Sequence, residues 1–350
     1  MSPLDSGASA WPESTLRYVK ENEHAFSLPR QSYSAAIKSR QVRSTSLLGI
    51  LGDRVGQLTI GSLRYLYAVA REYAQIGKLS ALKSSKAGRR ALVLGNGPSL
   101  GYLNSEQLRR FQRGGGEFFS VNFWTSTHLG GVAPDYHVIS DGATLADPES
   151  TFGKQLSHEF KRKNAVLAAF LRENEPVKIM CPLARVRELA AQFGTERITG
   201  FVDHEMRALT ASIDPRFPRG YASLTLFKAL ALAIFMGYRE ICLLGMDNTF
   251  PRDTFCDSDN RIYRLERHAG GDDTIFDQSA VYPTMDVWAQ DLLDLFSDLH
   301  RCFKGNPVLN LDPYSLTDAF RKIGNLASLE IGLGIAVENS AGAVSRRTPL

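Results

Sequence analysis

The sequence predicts an α/β fold: a mostly parallel, Rossmann-like β-sheet with helices on both faces, a helical arm before it and a polar insertion within it. Three observations predict this. From Ala91 onward, short apolar runs alternate with helix-length amphipathic stretches. The runs are apolar at consecutive positions, so each strand is buried on both faces, as in a parallel sheet covered on two sides. The first run, ALVLG, passes straight into Asn96-Gly97-Pro98-Ser99, and sheets of this kind hold ligands beyond the carboxyl ends of their strands.

The arm comes first. Residues 1–45 are polar with weak helical signals. Over residues 46–78, Leu58, Ile60, Leu63, Leu66, Val69 and Tyr73 recur at helical spacing, with Arg64, Arg71 and Lys78 between them. Residues 1–90 hold 14 Lys or Arg against 6 Asp or Glu, a net +8, which leaves −4 for the other 260 residues. Such an arm packs on the body, joins a second subunit in a homo-oligomer, or lies on an anionic membrane surface. Residues 79–90, LSALKSSKAGRR, read as a linker, so 1–90 form the arm and linker.

The body spans residues 91–327. Its expected strands are 91–95, 117–121, 136–140, 177–181, 240–245 and 307–311. RVRELAAQFG and LTLFKALALAIFMG are two of the amphipathic stretches between them. Residues 249–285 are polar and glycine-bearing. The Gly-, Ala- and Ser-rich residues 328–350 form a tail. The four cysteines lie far apart with no CxxC pair, which argues against a zinc site and a disulfide framework and fits a reducing compartment. The opening residues show no signal-peptide pattern, and no apolar run reaches membrane-spanning length. The expected location is cytoplasmic, with peripheral attachment to the inner face of the membrane. No nucleic-acid partner is expected.

The candidate site follows from the strand ends. Gly95 and Gly97 let a ligand approach the backbone, Asn96 offers a donor and an acceptor, and Ser99 caps a helix or donates to an oxygen. The turn is neither a Walker A loop nor GxGxxG. Asn122, Asp141 and Asp247 stand at the ends of three further strands. Ser223 or Thr225 is placed to N-cap the helix that buries Leu226, Leu230, Ile234 and Met236, and a helix N-terminus in the crevice attracts phosphate. Arg219 stands just before it. Each of these residues, taken singly, also reads as a helix cap or a structural turn.

VLGNGPSL, the strand ending in Asn122, the block SLTLFKALALAIFMGYREICLLGMD and the later NLDPYSLTDAF together resemble the bacterial family 42 sialyltransferases. They also resemble a sister family named after an archaeal 6-hydroxymethylpterin diphosphokinase. The resemblance covers about residues 91–325. It implies that Gly95, Asn96, Gly97, Ser99 and Asn122 hold the CMP part of a sugar donor, with Ser223, Thr225 and Asp141 beside it. Where the sialyltransferases place two phosphate-binding tyrosines this chain has Thr249 or Phe250 and Phe255, with Tyr263 or Arg264 as substitutes. They place a mobile lid after the aspartate of the GMD motif, which implies a lid over residues 249–285 here, and in it a base histidine shortly before the next helix. Here that place falls near Val281 and Tyr282, and the lid histidine is His268. Asp141 replaces an asparagine, which leans towards the diphosphokinase group.

The expected catalytic residues are therefore His268 and Asp247. His128, His137 and His300 read as structural. The leading functional expectation is a sialyltransferase-like glycosyltransferase that takes a CMP-type nucleotide sugar to a cell-surface glycan or glycolipid, with no resident cofactor. A diphosphokinase-type transferase would need ATP and Mg²⁺, which the lid carboxylates Asp253, Asp257, Asp259, Asp272 or Asp273 would bind; no spacing among them makes a metal motif. A non-catalytic nucleotide-binding protein is the third expectation.

Overall fold

A computed structural model describes residues 62–207, 209–247, 253–257, 261–266, 274–278 and 284–335, together with residues 55, 59 and 282. Most of the arm, the tail from 336 and several lid residues, His268 among them, lie outside the described residues.

Eleven strands are described: β1 (Arg90–Leu94), β2 (Glu117–Val121), β3 (Tyr136–Val138), β4 (Lys178–Pro182), β5 (Ile198–Phe201), β6 (Glu240–Leu244), β7 (Thr254–Cys256), β8 (Ile262–Glu266), β9 (Thr274–Asp277), β10 (Val308–Asn310) and β11 (Arg321–Lys322). Eight form one sheet in the order β11-β10-β6-β1-β2-β3-β4-β5, and every pair in it is parallel. The fold is thus α/β and Rossmann-like. The chain winds from β1 out to β5 and then returns to lay β6 against the other edge of β1. That reversal is the topological switch point, where the crevice of such a sheet opens.

Alternation along the strands explains the two layers. Ala91, Val93, Phe119 and Ile241 enter one core with the buried helix Thr225–Met236, whereas Leu92, Leu94, Phe118 and Cys242 enter the other with Leu108 and Phe111. Two strands of this sheet were not expected. β5 is only ITGF, but all four residues are buried, and β11 is a two-residue edge strand.

The helices are α1 (Ser62–Arg71), α2 (Tyr73–Ser80), α3 (Ser105–Arg113), α4 (Thr151–Gln155), α5 (His158–Glu173), α6 (Val186–Phe193), α7 (Thr225–Met236), α8 (Met285–Asp298) and α9 (Leu329–Leu333). α3 starts with a capping box, in which Asn104 and Gln107 satisfy each other's end amides at 2.9 and 3.0 Å. α7 stops at Gly237, whose φ of +80° is the left-handed cap that glycine adopts without a Cβ penalty.

The segment read as a linker, residues 79–90, is tied to the body instead. Leu79 is fully buried, Ser84 and Lys86 donate backbone N–H groups to Phe235 and Met236, and Lys86 and Arg89 pair with Glu117. Upstream, Gln75 accepts the Gly200 amide, and Lys78 donates to the carbonyls of Thr195, Glu196 and Ile198. The positive charge of residues 78–90 is therefore largely spent on the body. The apolar stripe of α1 and α2 faces outward, with Leu63 67%, Leu66 58% and Tyr73 74% exposed. The described residues between 253 and 278 form an antiparallel sheet, β7-β8-β9, around a small cluster of Tyr263, Leu265 and Ile275.

Candidate functional site

The glycine turn meets the end of β6 backbone to backbone. Gly95 N–H donates to Leu244 O at 2.9 Å, and Gly97 N–H to Gly245 O at 3.2 Å. Gly245 N–H in turn donates to Ser99 Oγ, and Ser99 N–H to Asp247 Oδ1, both at 3.0 Å. A Cβ on Gly95 would run into the Gly245 carbonyl, and one on Gly97 would meet Asp247 Oδ2 and, at 2.8 Å, Gly245 O. The small rigid turn is thus a clasp between β1 and β6. Its glycine amides and Ser99 face β6, whereas the sequence reading had them facing a nucleotide.

Two asparagines remain open. Asn96 Nδ2 donates to Val121 O at 3.4 Å, and Asn122 Nδ2 to Thr225 Oγ1 at 3.0 Å. The amide oxygen of each is buried and meets no partner among the described residues. Asn122 sits at φ +43°, a left-handed conformation that asparagine tolerates better than most residues. Ser140, at the end of β3, bonds the same Thr225 hydroxyl at 2.7 Å. The ends of β1, β2 and β3 and the start of α7 therefore converge.

Neither Ser223 nor Thr225 caps α7. The cap position is Leu224, without a side-chain bond, because the Thr225 hydroxyl is engaged by Asn122 and Ser140. Ser223 accepts from Lys228 Nζ at 3.1 Å. Lys228, 2% exposed, also holds Asp203 at 2.6 Å, and Asp203 is shared with Arg219 at 2.7 Å. Burial and the neighbouring Arg219 push the Lys228 ammonium down, whereas Lys228 and Arg219 hold Asp203 below the usual carboxylate range against the effect of burial. Arg219 is thus a buried ion-pair member. Asp141 is exposed, and its carboxylate closes its own turn by accepting Ala143 N–H at 2.9 Å.

Asp247 follows the carboxyl end of β6, 9% exposed, and its Oδ2 has no hydrogen-bond donor among the described residues. Burial first, and then the Asp312 carboxyl, push its pKa up to about 7, against the Ser99 bonds. Sequence reasoning missed Asp312, Ser140, Tyr102 and Tyr314. The signal for Asp312 was present: it follows the apolar run 307–311 as Asp247 follows its own.

His137 is fully buried against Ser120 Oγ at 2.7 Å, and burial pushes it down to about 3, so it stays neutral. His128 bonds Leu103 O, and His300 pairs with Asp318. Tyr263 is buried and stacked on Phe255, with ring centroids 5.4 Å apart. Thr249, Phe250, Asp259, His268, Asp272 and Asp273 lie outside the described residues. Among the described residues no three His, Cys, Asp or Glu side chains gather as a metal site. All four cysteines are free, and no described helix is long and apolar enough to cross a membrane. Two open depressions of about 460 and 430 Å³ lie at the amino ends of the strands, against Pro134–Asp135 and Pro307–Val308, on the side of the sheet away from the crevice.

No protein-family model and no curated protein matches the chain. A similar solved structure is that of the MAf glycosyltransferase from Magnetospirillum magneticum AMB-1. It is 14% identical with a TM-score of 0.39, and the match covers 74% of this chain but 40% of that one. The chain thus spans about two fifths of that protein's length.

Proposed function

We propose that the protein is a glycosyltransferase that moves a sugar from a CMP-type nucleotide donor to a hydroxyl of a glycan or glycolipid. The observation that carries this reading is the pair of buried, open amides on Asn96 and Asn122 beside the start of α7, at the switch point of a parallel sheet. An amide presents both a donor and an acceptor, which suits a nucleobase edge or ribose hydroxyls. The first amides of α7 have no intrahelical partner, and they and the helix dipole favour the donor phosphate. Asp247 takes the acceptor's hydroxyl proton. The acceptor oxygen then bonds the anomeric carbon, and the bond from that carbon to the phosphate oxygen breaks, its electron pair leaving with CMP. The exposed stripe of α1 and α2 and the net +3 of residues 1–77, 9 Lys or Arg against 6 Asp or Glu, support an acceptor at an anionic membrane surface.

A thermal-shift panel of CMP, CDP, UDP, GDP and ATP, each with and without Mg²⁺, tests the reading. CMP at a hundredfold excess over its Kd is expected to stabilise the fold by about 2.7 kcal/mol. Asn122→Gly, which keeps the left-handed backbone, is expected to remove most of that shift. A response to ATP and Mg²⁺ without one to CMP would move the assignment to a diphosphokinase. No response to any nucleotide would discard the site.

A further inference from the structure

β6 lies between β1 and β10 in the sheet, and the chain that leaves its carboxyl end is held from both sides. On one side is the turn after β1, Pro98–Tyr102, whose Ser99 N–H donates to Asp247 Oδ1 at 3.0 Å. On the other is the loop after β10. Its Ser315 Oγ donates to Met246 O at 2.7 Å, and its Leu316 N–H donates to Asp247 O at 3.2 Å. Tyr102 ends the first segment, three residues after Ser99, and Tyr314 precedes Leu316 by two. At about 2.0 Å of rise per residue in such a turn, and at most about 3.6 Å in extended chain, both tyrosines start within about 7 Å of a group bonded to Asp247. Both are exposed, Tyr102 by 37% and Tyr314 by 68%, whereas Asp247 is nine-tenths buried with its Oδ2 open among the described residues. The loop that carries Tyr314 is pinned. Asp312 N–H donates to Asn310 Oδ1 at 3.0 Å, Tyr314 N–H to Asp312 Oδ1 at 2.9 Å, and Thr317 N–H to Ser315 Oγ at 3.2 Å. An exposed aromatic ring on a fixed backbone gives up little freedom when a ligand covers it.

Two exposed rings flanking a sunken, open acceptor suit one kind of ligand. The rings offer apolar faces, and Oδ2 takes a hydroxyl proton. A phosphate is disfavoured beside the acidic Asp247 and Asp312, and the Lys322 ammonium that reaches this loop is engaged by Ser315 O. A nucleobase finds its polar partners at Asn96 and Asn122 instead. A pyranose has both halves of what this place asks for, a C–H face for the rings and hydroxyls for Oδ2. Burial first, and then Asp312, Asp247 and Tyr314, push the Tyr102 phenol up, so its hydroxyl stays protonated and can donate as well. We propose that Tyr102 and Tyr314 form a subsite for a neutral pyranose, which stacks on their rings and gives a hydroxyl to Asp247 Oδ2. That this sugar is the acceptor rests on the proposed transfer; that it binds here does not.

Saturation-transfer NMR of the full chain tests this without a nucleotide. The probes are methyl β-galactoside, methyl β-glucoside, methyl α-mannoside and methyl N-acetyl-β-glucosaminide. Transfer from the protein to the ring C–H protons of at least one of them is expected. Tyr102→Ala and Tyr314→Ala are each expected to weaken its binding by about tenfold, whereas Tyr314→Phe, which keeps the ring, stays within about threefold of wild type. Tyr314 is exposed, so its variants should keep the wild-type Tm, and Tyr314→Ala should keep the thermal shift with CMP. No transfer to any of the four glycosides in the wild-type protein overturns the proposal whether or not the variants fold. So does binding by Tyr314→Ala equal to wild type, or a Tyr314→Phe loss as large as that of alanine. Loss of the CMP shift in Tyr314→Ala would place the nucleotide on this ring and overturn it too. Tyrosine-dependent glycoside binding without any response to CMP still supports the subsite and falls only on the proposed function.

Discussion

Replacing Gly97 with alanine probes the clasp most directly. The added Cβ would sit well inside 3.0 Å of Asp247 Oδ2 and at 2.8 Å from Gly245 O, closer than real Cβ atoms come. The Gly245 oxygen belongs to the backbone of a buried strand end and cannot swing aside, so β1 and β6 must part. Overpacking of this kind costs about 1–3 kcal/mol. Parting also weakens the bonds from Gly97 N–H to Gly245 O and from Ser99 N–H to Asp247, at about 1 kcal/mol or more each. The expected loss is therefore about 3–5 kcal/mol, or roughly 6–20 °C in Tm for a body of this size. Gly101, in the same turn, has nothing within 4 Å of its Cβ position. Gly101→Ala is expected to be neutral or to stabilise by about 0.4–1 kcal/mol through the unfolded chain. Thermal and urea unfolding of both variants decides the matter. A Gly97→Ala protein within about 0.5 kcal/mol of wild type would refute the account, and the glycine would then be free for a ligand.

Three further outcomes are expected. Asp247 binds its proton more tightly folded than unfolded, so its contribution is fully present below about pH 4 and is lost as pH rises through about 7, a change of at most about 4 kcal/mol. Asp247→Asn, neutral throughout, should gain on wild type in Tm from pH 5 to pH 8; a constant difference counts against the raised pKa. Asp203→Ala leaves Lys228 and Arg219 buried without their shared carboxylate and should cost about 3–5 kcal/mol by denaturant titration, whereas Asp203→Leu combined with Lys228→Met should cost less than the two changes added separately. A chain beginning at residue 88 loses Leu79 and Gln75 and should fail to fold, whereas Leu66→Lys with Tyr73→Lys should stay folded and lose binding to anionic vesicles; vesicle binding equal to wild type would remove the arm from the membrane.

Much of the fold was legible because burial on both faces writes itself into a strand as a continuous apolar run. Six of the eight sheet strands announced themselves this way. β5 did not, since ITGF is short and carries a glycine and a threonine; it is buried because α2 and α6 pack over it, a tertiary fact with no local signature. The linker reading of 79–90 failed for a related reason. Lys86, Arg89 and Arg90 look like solvated charge, yet their partners Glu117 and Glu240 lie 28 to 150 residues away in the chain.

The site was legible as a place and misread as a set of contacts. Asn96, Asn122 and Asp247 follow the carboxyl ends of β1, β2 and β6, because chain direction in a parallel sheet fixes where loops gather. What sequence could not separate is a glycine that makes room for a ligand from one that makes room for a neighbouring strand. Both demand the missing Cβ, and only the position of Gly245 shows which holds here. The same ambiguity explains the misreading of Thr225. A hydroxyl at a helix start reads as a cap, but with Asn122 and Ser140 already on it, the cap is given up and the first amides of α7 are left open. A helix whose own threonine is turned away from its end, in a crevice whose two asparagines each keep one free group, leaves several polar atoms unsatisfied in one small volume. Protein interiors rarely leave such groups unmet, so their coincidence at the switch point, among the described residues, is the observation on which the proposed ligand rests.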